Sequence, residues 1–530
     1  AGEFEAKTPY FYSTYESENE AAPLEGRKVI IVGSGPIRIG QGIEFDYCTV
    51  HASFALREMG TKSIVINNNP ETVSTDFDVS NRLYFEPLTF EDVMNIIDNE
   101  GAETPVLVQY GGQTSINIAS KIDGKAVILG TDMKGIDMAE DRDLFRGIAM
   151  ELKIKQPVNA TATDEKSAVE VASKIGYPIV VRPSYVIAGR AMQIIHSSEE
   201  LRRYINEAVE VSEKRPVLID KYLDNAIECE VDGVSDGRNI EIAGIMEHIE
   251  YAGVHSGDAN IIYPSIRLTQ VNKNDIIENS NKLSKRLGIV GFFNIQFAVK
   301  GNDVYVLEVN PRASRTLPYI SKARGINFAR IATRAMCGIP LEKIEKEEPE
   351  HYSVKSVVFP FIKLPGLDSA LGPEMKSTGE SMGISQTPEL AYYKALAAAG
   401  LVVKKKAVLL SLKDEDKELG PELEKMLRKL GFEIYATPGT AAYLKNPQIV
   451  QKIGKGGLDV LQIIEKMHVG LVINTPSKGG RPSTDGFKIR RASLDKGIAC
   501  ITEMNAARMY VSALEKVLEN KVEVKRFDEY

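Results

Sequence analysis

Short runs of Val and Ile alternate with amphipathic stretches in the first quarter of the chain. The runs have the length of buried strands, and the stretches between them carry apolar residues at helical spacing. The pattern predicts strands at Lys28–Gly33, Ser63–Asn67, Val106–Tyr110 and Ala126–Gly130, with helices such as Glu44–Met59 and Phe90–Asn99. Such alternation is typical of a doubly wound parallel sheet, which we expect to end near residue 140.

The pattern changes after residue 140 and returns near residue 406. From Asp141 to Pro340 it favours antiparallel strands, most clearly a hairpin at Gly291–Val309 that turns at Gly301-Asn302. Residues 341–405 contain Pro and Gly breaks and one predicted helix, Pro388–Ala399, and are interpreted as the end of this region plus a linker. A third, compact α/β domain follows, with elements at Ala407–Leu412, Gly420–Leu430, Glu433–Ala436, Gly470–Asn474 and Glu503–Leu518.

Composition limits the classes of function. A chain of 530 residues is too long for a single core, so we expect roughly three or four domains. The net charge of −8 argues against a nucleic-acid-binding surface, and no apolar run approaches the roughly 18 residues of a membrane span. Four scattered cysteines without a Cys-x-x-Cys pair fit a reduced, cytoplasmic compartment. The N-terminus lacks a signal pattern and an initiator Met, so we expect a fragment or a processed product.

A glycine-rich loop, Gly33–Gly42, follows the first predicted strand. A dinucleotide fingerprint would require glycine at Arg38, and a P-loop would require lysine at Gln41. Both nucleotide motifs therefore fail. Two interpretations remain open: a loop whose backbone N–H groups bind an anion, and a purely structural turn.

Two other candidate motifs are rejected. Gly233–Gly237 has the spacing of an esterase nucleophile elbow, but it lies between two strand-like runs with a hairpin turn at Asp236-Gly237. His248 and His255 do not have a zinc spacing, and we interpret them as polar surface residues or nucleotide contacts.

The predicted hairpin collects oxygen ligands. Glu308 and Asn310 share one face of the return strand, and folding about the turn brings Gln296 to within about two residues of Glu308. This set suits Mg²⁺, which also keeps phosphate oxygens and water. Arg312 and Arg315 follow at once and could neutralise a transferred phosphate. The alternative is a solvated strand end with an Arg–Glu pair.

Two further segments favour nucleotide binding. Arg182 ends an apolar strand and is followed by a loop, 185–190, whose glycine permits close approach to phosphates. Lys221 and Leu223 end another apolar strand, and Glu228 follows. An adenine slot and a ribose acceptor need such a mixture of apolar and polar groups.

At these residues the chain resembles the C-terminal half of the carbamoyl-phosphate synthetase large subunit, a duplicated ATP-grasp protein. The resemblance covers essentially the whole chain and rests on Gln41–Cys48, Asn69–Thr75, Gln109–Thr114, Arg182–Tyr185, Met246–Ile249, Gly253–Asp258 and Glu308–Ala313. It implies an α/β and α+β multidomain fold. The implied parts are a linker from an oligomerisation domain (1–24), a pre-ATP-grasp Rossmann-like domain (25–140), an ATP-grasp domain with a C-terminal extension (141–400) and a methylglyoxal-synthase-like allosteric α/β domain (401–530).

The resemblance also implies site residues. Its ATP contacts fall on Arg142, Arg182, Lys221, Leu223, Glu228, Gly253, Val254, His255, Ser256, Gln296 and Glu308. Its metal ligands fall on Gln296, Glu308 and Asn310, and its catalytic arginines on Arg312 and Arg315. Its effector contacts fall on Lys417, Thr437, Thr440, Lys452 and Asn474. Pro476 replaces a threonine of some members, which leaves the effector open between a nucleotide and a sugar phosphate.

The implied reaction is the phosphorylation of carbamate by ATP to carbamoyl phosphate, the second phosphorylation in a synthesis that serves arginine and pyrimidine biosynthesis. The implied cofactors are one or two Mg²⁺ or Mn²⁺ ions, with K⁺ as a further candidate. The implied partners are the N-terminal carboxyphosphate-forming half, a glutamine amidotransferase small subunit and the effector, in an oligomer without nucleic acid or membrane. The nitrogen source, glutamine or ammonia, stays open.

Three alternatives are kept. Another ATP-grasp ligase, such as an acyl-CoA or biotin carboxylase, would share Arg182, Lys221, Glu308 and Asn310 but not the Gln109–Thr114 stretch or the third domain. A homodimer could perform both phosphorylations. A non-catalytic subunit that senses effectors would be favoured by an eroded metal cluster, and here the cluster is intact.

Overall fold

The computed structural model describes residues 10–36, 42–183, 192–209, 217–345, 347–361, 367–456, 458–476, 484–519 and 522–530. The predicted loop at 185–190 and the loop positions Arg38 and Gln41 lie outside these residues. Two compact units are present. Unit 1 comprises Ala1–Pro157, Glu228–Glu247 and Ser265–Pro349, and unit 2 comprises Val158–Ile227, His248–Pro264 and Glu350–Tyr530. The division into predicted domains at residues 24, 140 and 400 remains a prediction.

Unit 1 begins with a six-stranded parallel sheet. Its strands are β1 (Tyr10–Phe11), β2 (Lys28–Val32), β3 (Lys62–Ile66), β4 (Arg82–Tyr84), β5 (Val106–Leu107) and β6 (Ile128–Leu129), in the order β1-β4-β3-β2-β5-β6. The connecting helices are α1 (Glu44–Glu58), α2 (Phe90–Glu100), α3 (Gly112–Ile122) and α4 (Met133–Glu140), with a 3₁₀ turn at Val73–Thr75 and α5 (Arg142–Glu151) after them. The predicted parallel sheet is confirmed, although β5 and β6 are shorter than expected and β1 and β4 were not predicted.

Unit 2 begins with a small antiparallel sheet. Its elements are β7 (Asn159–Ala162), α6 (Glu165–Ile175), β8 (Ile179–Pro183), β9 (Gln193–Ile195), α7 (Ser198–Val209) and β10 (Val217–Lys221). The strands lie in the order β7-β10-β8-β9. Buried Ala, Ile and Val side chains, among them Ile179, Val181 and Ile219, pack between this sheet and its helices.

The chain continues through β11 (Ile227–Asp236), β12 (Ile240–Tyr251), β13 (Ile261–Tyr263), α8 (Gln270–Arg286), β14 (Val290–Lys300), β15 (Asp303–Asn310), α9 (Leu317–Arg324), α10 (Phe328–Met336), β16 (Tyr352–Val358), β17 (Gly379–Ser385) and α11 (Pro388–Ala398). In unit 1 the strand order is β15-β14-β11-β12, and in unit 2 it is β13-β16-β17. The turn between β11 and β12 contains Gly237 with φ +85°, which confirms a hairpin rather than a nucleophile elbow.

The C-terminal part of unit 2 is a five-stranded parallel sheet. Its elements are β18 (Ala407–Ser411), a 3₁₀ turn at Asp414–Leu419, α12 (Gly420–Lys429), β19 (Glu433–Ala436), α13 (Pro438–Ala441), β20 (Gln448–Ile449), α14 (Val460–Glu465), β21 (Leu471–Asn474), α15 (Asp485–Asp495), β22 (Ala499–Ile501), α16 (Met504–Glu519) and a 3₁₀ turn at Phe527–Glu529. The order β20-β19-β18-β21-β22 is parallel throughout. This confirms the third α/β region.

All four cysteines are free, and Cys48 and Cys229 are buried. Within the described ranges, no helix combines the length and the apolar character that crossing a membrane requires.

Candidate active site

Three neighbouring strands of unit 1 carry polar residues at every second position. They are Glu228, Glu230 and Asp232 on β11, Asn294 and Gln296 on β14, and Glu308 and Asn310 on β15. Residues at i and i+2 share one face of a strand. We call these seven residues the polar face.

The register of the hairpin brings the predicted metal ligands together. Gln296 lies directly opposite Glu308, and Asn294 lies opposite Asn310. A bulge between Gln296 and Phe297 creates this register. The three predicted ligands therefore occupy adjacent positions at the end of the hairpin remote from its turn.

Hydrogen bonds connect the polar face across the three strands. The Asn294 Nδ2 group donates to Glu230 Oε2 and to Asp232 Oδ1, at 2.9 Å each. The Asn310 Nδ2 group donates to Glu308 Oε1 at 3.1 Å and to Asn294 Oδ1 at 3.4 Å. The metal candidates on β15 are thus connected to buried carboxylates on β11 through one amide.

The buried end of the polar face holds an acid whose pKa is raised well above its ordinary value. Burial, followed by the nearby Glu230 carboxylate, raises the pKa of Asp232 to about 7. The Ser314 hydroxyl donates to both Asp232 oxygens, at 2.8 and 2.9 Å, and the Thr316 hydroxyl donates at 2.7 Å. These donors partly offset the cost of burying the carboxylate.

The residues at the other end fit a magnesium ion. Gln296, Glu308 and Asn310 are partly exposed and offer one carboxylate and two amide oxygens. Among the described residues, no group of three or more His, Cys, Asp or Glu side chains is placed to hold a metal. A single carboxylate with neutral oxygen donors suits Mg²⁺, which usually retains water and phosphate oxygens in its coordination shell.

The two predicted catalytic arginines have different surroundings in unit 1. Arg312 Nη2 donates to Asn310 Oδ1 at 3.2 Å, so its guanidinium lies beside the metal candidates. Burial lowers the pKa of Arg312, but an arginine stays charged. Arg315 is buried and donates to Glu44 Oε1 at 2.9 Å. Arg142, at the first position of α5, is partly exposed.

The remaining predicted nucleotide residues, apart from Glu228, belong to unit 2. Arg182 lies on β8, paired with Leu218 of β10. Lys221 ends β10, and its ammonium donates to the carbonyls of Gly176 and Tyr177 at 2.8 and 3.1 Å.

A loop that contains Gly253, Val254, His255 and Ser256 connects to the end of β10. The Leu223 carbonyl accepts from Ala226 N–H, and the Ala226 carbonyl accepts from Ala252 N–H. Unit 2 thus brings together Leu223 and this loop. His248, one residue of β12, is buried, so its prediction as a surface residue is wrong.

Four predicted effector residues line one cavity of about 200 Å³ in unit 2: Lys417, Thr437, Thr440 and Lys452. Thr437 precedes α13, and the buried Thr440 hydroxyl accepts from Leu412 N–H at 2.9 Å. Asn474 lines an adjoining cavity of about 120 Å³. Hydroxyls, lysines and a helix start give the pair of cavities the character of an anion site.

Several residues of these sites were missed from the sequence. Glu230, Asp232 and Asn294 complete the polar face, and Arg490 lines the smaller cavity. The first three could have been found from the sequence, because acids alternate with apolar residues along β11 and Asn294 precedes Gln296 by two positions. No local sequence pattern identifies Arg490, because its partner Asp368 is distant in sequence.

Comparisons with known proteins match all three regions. The family model described as carbamoyl phosphate synthase preATP-grasp domain matches residues 25–138. The model of the carbamoyl-phosphate synthase L chain, ATP binding domain, matches 141–344, and that of the MGS-like domain matches 421–502.

Two relatives cover the whole chain. The carbamoyl phosphate synthase large chain of Archaeoglobus fulgidus is 52% identical over 540 residues, and the present chain spans 50% of its length. The C-terminal section of the carbamoyl phosphate synthase large chain of Methanocaldococcus jannaschii is 49% identical, and 90% of that protein is covered.

Solved structures share the ATP-grasp fold. The biotin carboxylase domain of 2-oxoglutarate carboxylase from Hydrogenobacter thermophilus has a TM-score of 0.56 at 18% identity, covering 70% of this chain and 89% of that one. Biotin carboxylase from Campylobacter jejuni has a TM-score of 0.55 at 15% identity, covering 70% and 91%. The chain therefore belongs to the carbamoyl phosphate synthase large chain family, with preATP-grasp, ATP-grasp and MGS-like domains in the predicted order.

Proposed function

We propose that this chain phosphorylates carbamate with ATP, giving carbamoyl phosphate and ADP, as the second phosphorylation of carbamoyl-phosphate synthesis. The observation that carries the proposal is the polar face, where Gln296, Glu308 and Asn310 lie together beside Arg312. Phosphoryl transfer needs charge neutralisation and alignment more than covalent chemistry.

Each residue has a role in that reaction. Gln296, Glu308 and Asn310 would hold Mg²⁺ or Mn²⁺, which when bound supplies charge neutralisation at the phosphate oxygens. Arg312 places a second positive charge beside that position. Carbamate is a poor nucleophile that decomposes in water, so the site must orient it and exclude solvent.

The nucleotide residues proposed from the sequence divide between the units. In unit 2, Leu223 and the 253–256 loop offer an apolar edge with backbone N–H and C=O groups, as an adenine requires. In unit 1, Arg142 and Glu228 are the proposed phosphate and ribose contacts.

Complete synthesis would require partners. We propose the N-terminal half of the large chain, which would form carboxyphosphate, and a glutamine amidotransferase small subunit, in an oligomer in the cytoplasm that serves arginine and pyrimidine biosynthesis. The chain spans about half the length of the Archaeoglobus large chain, which supports the need for the first half. The number of metal ions and a role for K⁺ belong to the same proposal.

Regulation is proposed at the C-terminal cavities. Lys417, Thr437, Thr440 and Lys452 would bind the phosphate of a nucleotide or sugar phosphate, with Asn474 in the adjoining cavity. Ser411, Leu412 and Gly486 line both cavities, and this shared wall supports one ligand spanning the two.

The reverse half-reaction tests the catalytic proposal. Purified chain should convert MgADP and carbamoyl phosphate to ATP, followed by coupled ATP detection. Glu308→Gln should abolish ATP formation, whereas Glu278→Gln, at an exposed α8 pair with Lys282, should not. A wild-type chain that makes no ATP would refute catalysis by this chain and leave the non-catalytic effector-sensing subunit.

A further inference from the structure

Asn294 lies directly behind the metal candidates. It is 2% exposed, and both N–H bonds of its amide are engaged by the carboxylates of Glu230 and Asp232. A primary amide has two N–H donors and one carbonyl oxygen. With both donors directed to β11, the Asn294 oxygen must face β15.

That orientation fixes the next amide. The Asn294 oxygen accepts from Asn310 Nδ2, which also donates to Glu308 Oε1. Both N–H bonds of Asn310 are then used, so its own oxygen faces away from the buried carboxylates. There it accepts from Arg312 Nη2.

The acid that starts this series is itself held in place. Hydroxyl groups of Ser314 and Thr316 donate to Asp232 from the segment that follows β15. The Asp232 oxygens therefore remain in place as acceptors for the Asn294 amide.

We propose that Asn294 and Asp232 are positioning residues that orient the Asn310 amide so that its oxygen, not its nitrogen, faces the cation. The inference rests on the proposed function, because it assigns Asn310 to a metal. A flipped Asn310 would present N–H groups to the ion and lose a ligand. Residues that hydrogen-bond to metal ligands typically contribute about 10–100-fold to metal affinity.

The test measures Mn²⁺ binding in the presence of ADP by electron paramagnetic resonance, without turnover. Asn294→Leu keeps the side-chain volume but removes the amide, and we expect Mn²⁺ affinity to fall about 10–100-fold. Asn272→Leu is the matched control, because Asn272 is equally buried in unit 1 but donates to Gly301 O and does not touch the polar face. The control should bind Mn²⁺ as the wild type does.

A second variant guards against misfolding. Asp232→Asn keeps the shape of the side chain, but the new amide can donate to the Asn294 oxygen as well as accept from its nitrogen, so Asn294 is no longer held in one orientation. We expect a smaller loss of Mn²⁺ affinity than in Asn294→Leu. The melting temperature should be no lower than that of the wild type. Wild-type affinity in folded Asn294→Leu or in Asp232→Asn would overturn the positioning role alone. A wild-type chain that binds no Mn²⁺ with ADP would overturn both this inference and the proposed metal site.

An independent observation concerns Arg490 on α15. Its side chain is 1% exposed, and it donates to both oxygens of Asp368, at 2.6 and 2.5 Å, and to Asn474 Oδ1 at 2.6 Å. Asp368 belongs to residues 367–378, which we call the bridging segment. One guanidinium thus connects the wall of the smaller effector cavity to this segment.

The bridging segment holds the predicted nucleotide loop. His255 N–H donates to Gly372 O at 2.8 Å. Asp258 accepts from the N–H groups of Lys376 and Ser377 at 2.7 and 2.9 Å. All of these residues belong to unit 2.

The geometry assigns Arg490 and Asp368 a positioning role for the 253–258 loop, and this too rests on the proposed function. The ion pair fixes the start of the bridging segment, so its loss would weaken the placement of Gly372 O, the acceptor of His255 N–H. Because Arg490 also lines the cavity, a bound anion there would reach the same loop.

Hydrogen exchange followed by mass spectrometry on the full chain tests this role without catalysis. Arg490→Gln should speed exchange in peptides covering 253–258. Asp368→Asn should do the same, and because it leaves Arg490 in place it tests the role even where Arg490→Gln unfolds the C-terminal part. Arg491→Gln is the control, because Arg491 binds Asp495 and Phe361 O instead of the bridging segment. Equal exchange in the loop of Asp368→Asn and Arg491→Gln would overturn the role, whatever the chain's activity.

Discussion

Replacing Glu100 with glutamine tests how much one buried carboxylate contributes to the N-terminal sheet. The Glu100 side chain is fully buried and accepts four hydrogen bonds. They come from Lys28 Nζ at 2.9 Å, Arg82 Nη1 at 2.5 Å, the Tyr84 hydroxyl at 2.6 Å and Leu24 N–H at 3.0 Å. Two cations and two neutral donors therefore depend on this acid.

The magnitude follows from the burial of the cations. The Lys28 and Arg82 side chains are only 12% and 9% exposed, so water cannot replace the lost charge. Breaking a buried ion pair from one side costs about 3–5 kcal/mol. The glutamine oxygen can still accept from Tyr84, so we expect the lower end, about 3 kcal/mol.

The effect should also depend on pH. Burial pushes the pKa of Glu100 up, but hydrogen bonds from Tyr84, Leu24 N–H, Lys28 and Arg82 outweigh it and hold the pKa below its ordinary value. The ionised acid therefore stabilises the fold above the unfolded value of 4.5, and this contribution is lost as the pH falls. The difference between wild type and Glu100→Gln should shrink on acidification.

Urea unfolding at pH 7.5 and at pH 4 measures both quantities. Glu58→Gln is the matched control, since Glu58 also pairs with an arginine, Arg330, but both side chains are at least one-third exposed. Such surface pairs contribute less than about 1 kcal/mol. Equal losses of unfolding free energy for Glu100→Gln and Glu58→Gln would refute the argument from burial.

Three further substitutions have defined outcomes. Burial raises the pKa of Glu503 to about 7, so ionisation of this acid opposes folding above pH 4.5, the pKa in the unfolded chain. In urea titrations at pH 8, Glu503→Gln should therefore be more stable than the wild type by up to about 3 kcal/mol, and at pH 4 it should not. Gly253 has φ +106°, and a Cβ there would meet the Tyr222 hydroxyl at 2.8 Å; Gly253→Ala should raise the KM for MgADP in ATP synthesis with little change in kcat. Thr440→Val removes the buried acceptor of Leu412 N–H and should cost about 1–3 kcal/mol in thermal unfolding.

The parallel sheets were largely predictable because their strands are buried on both faces. β2, for example, reads Lys-Val-Ile-Ile-Val, and its four apolar residues are all buried. Such continuous apolar runs are visible in the sequence. β1 and β4 were missed because each is two or three residues long, and β4 contains the charged Arg82, which is buried by pairing with Glu100 and by lying over the Phe11 and Tyr84 rings.

The register that brings the metal candidates together could not be predicted from residue spacing alone. Pairing from the turn, with Phe297 opposite Val306, would place Leu307 opposite Gln296 and turn Glu308 to the other face. The bulge adds one residue to β15 and brings Glu308 into register with Gln296. A one-residue irregularity therefore decides whether the ligands meet.

The sequence by itself determined the strand–helix alternation of the two parallel sheets, the types of the candidate ligands and the family, because apolar periodicity and local motifs act over a few residues. Only the tertiary structure decided which distant polar groups meet, such as Asp232 with Asn294 and Asp368 with Arg490. These pairs are separated by 62 and 122 positions. Buried polar groups must find partners somewhere in the fold, but the partner is chosen by the packing of whole strands and helices and leaves no local pattern.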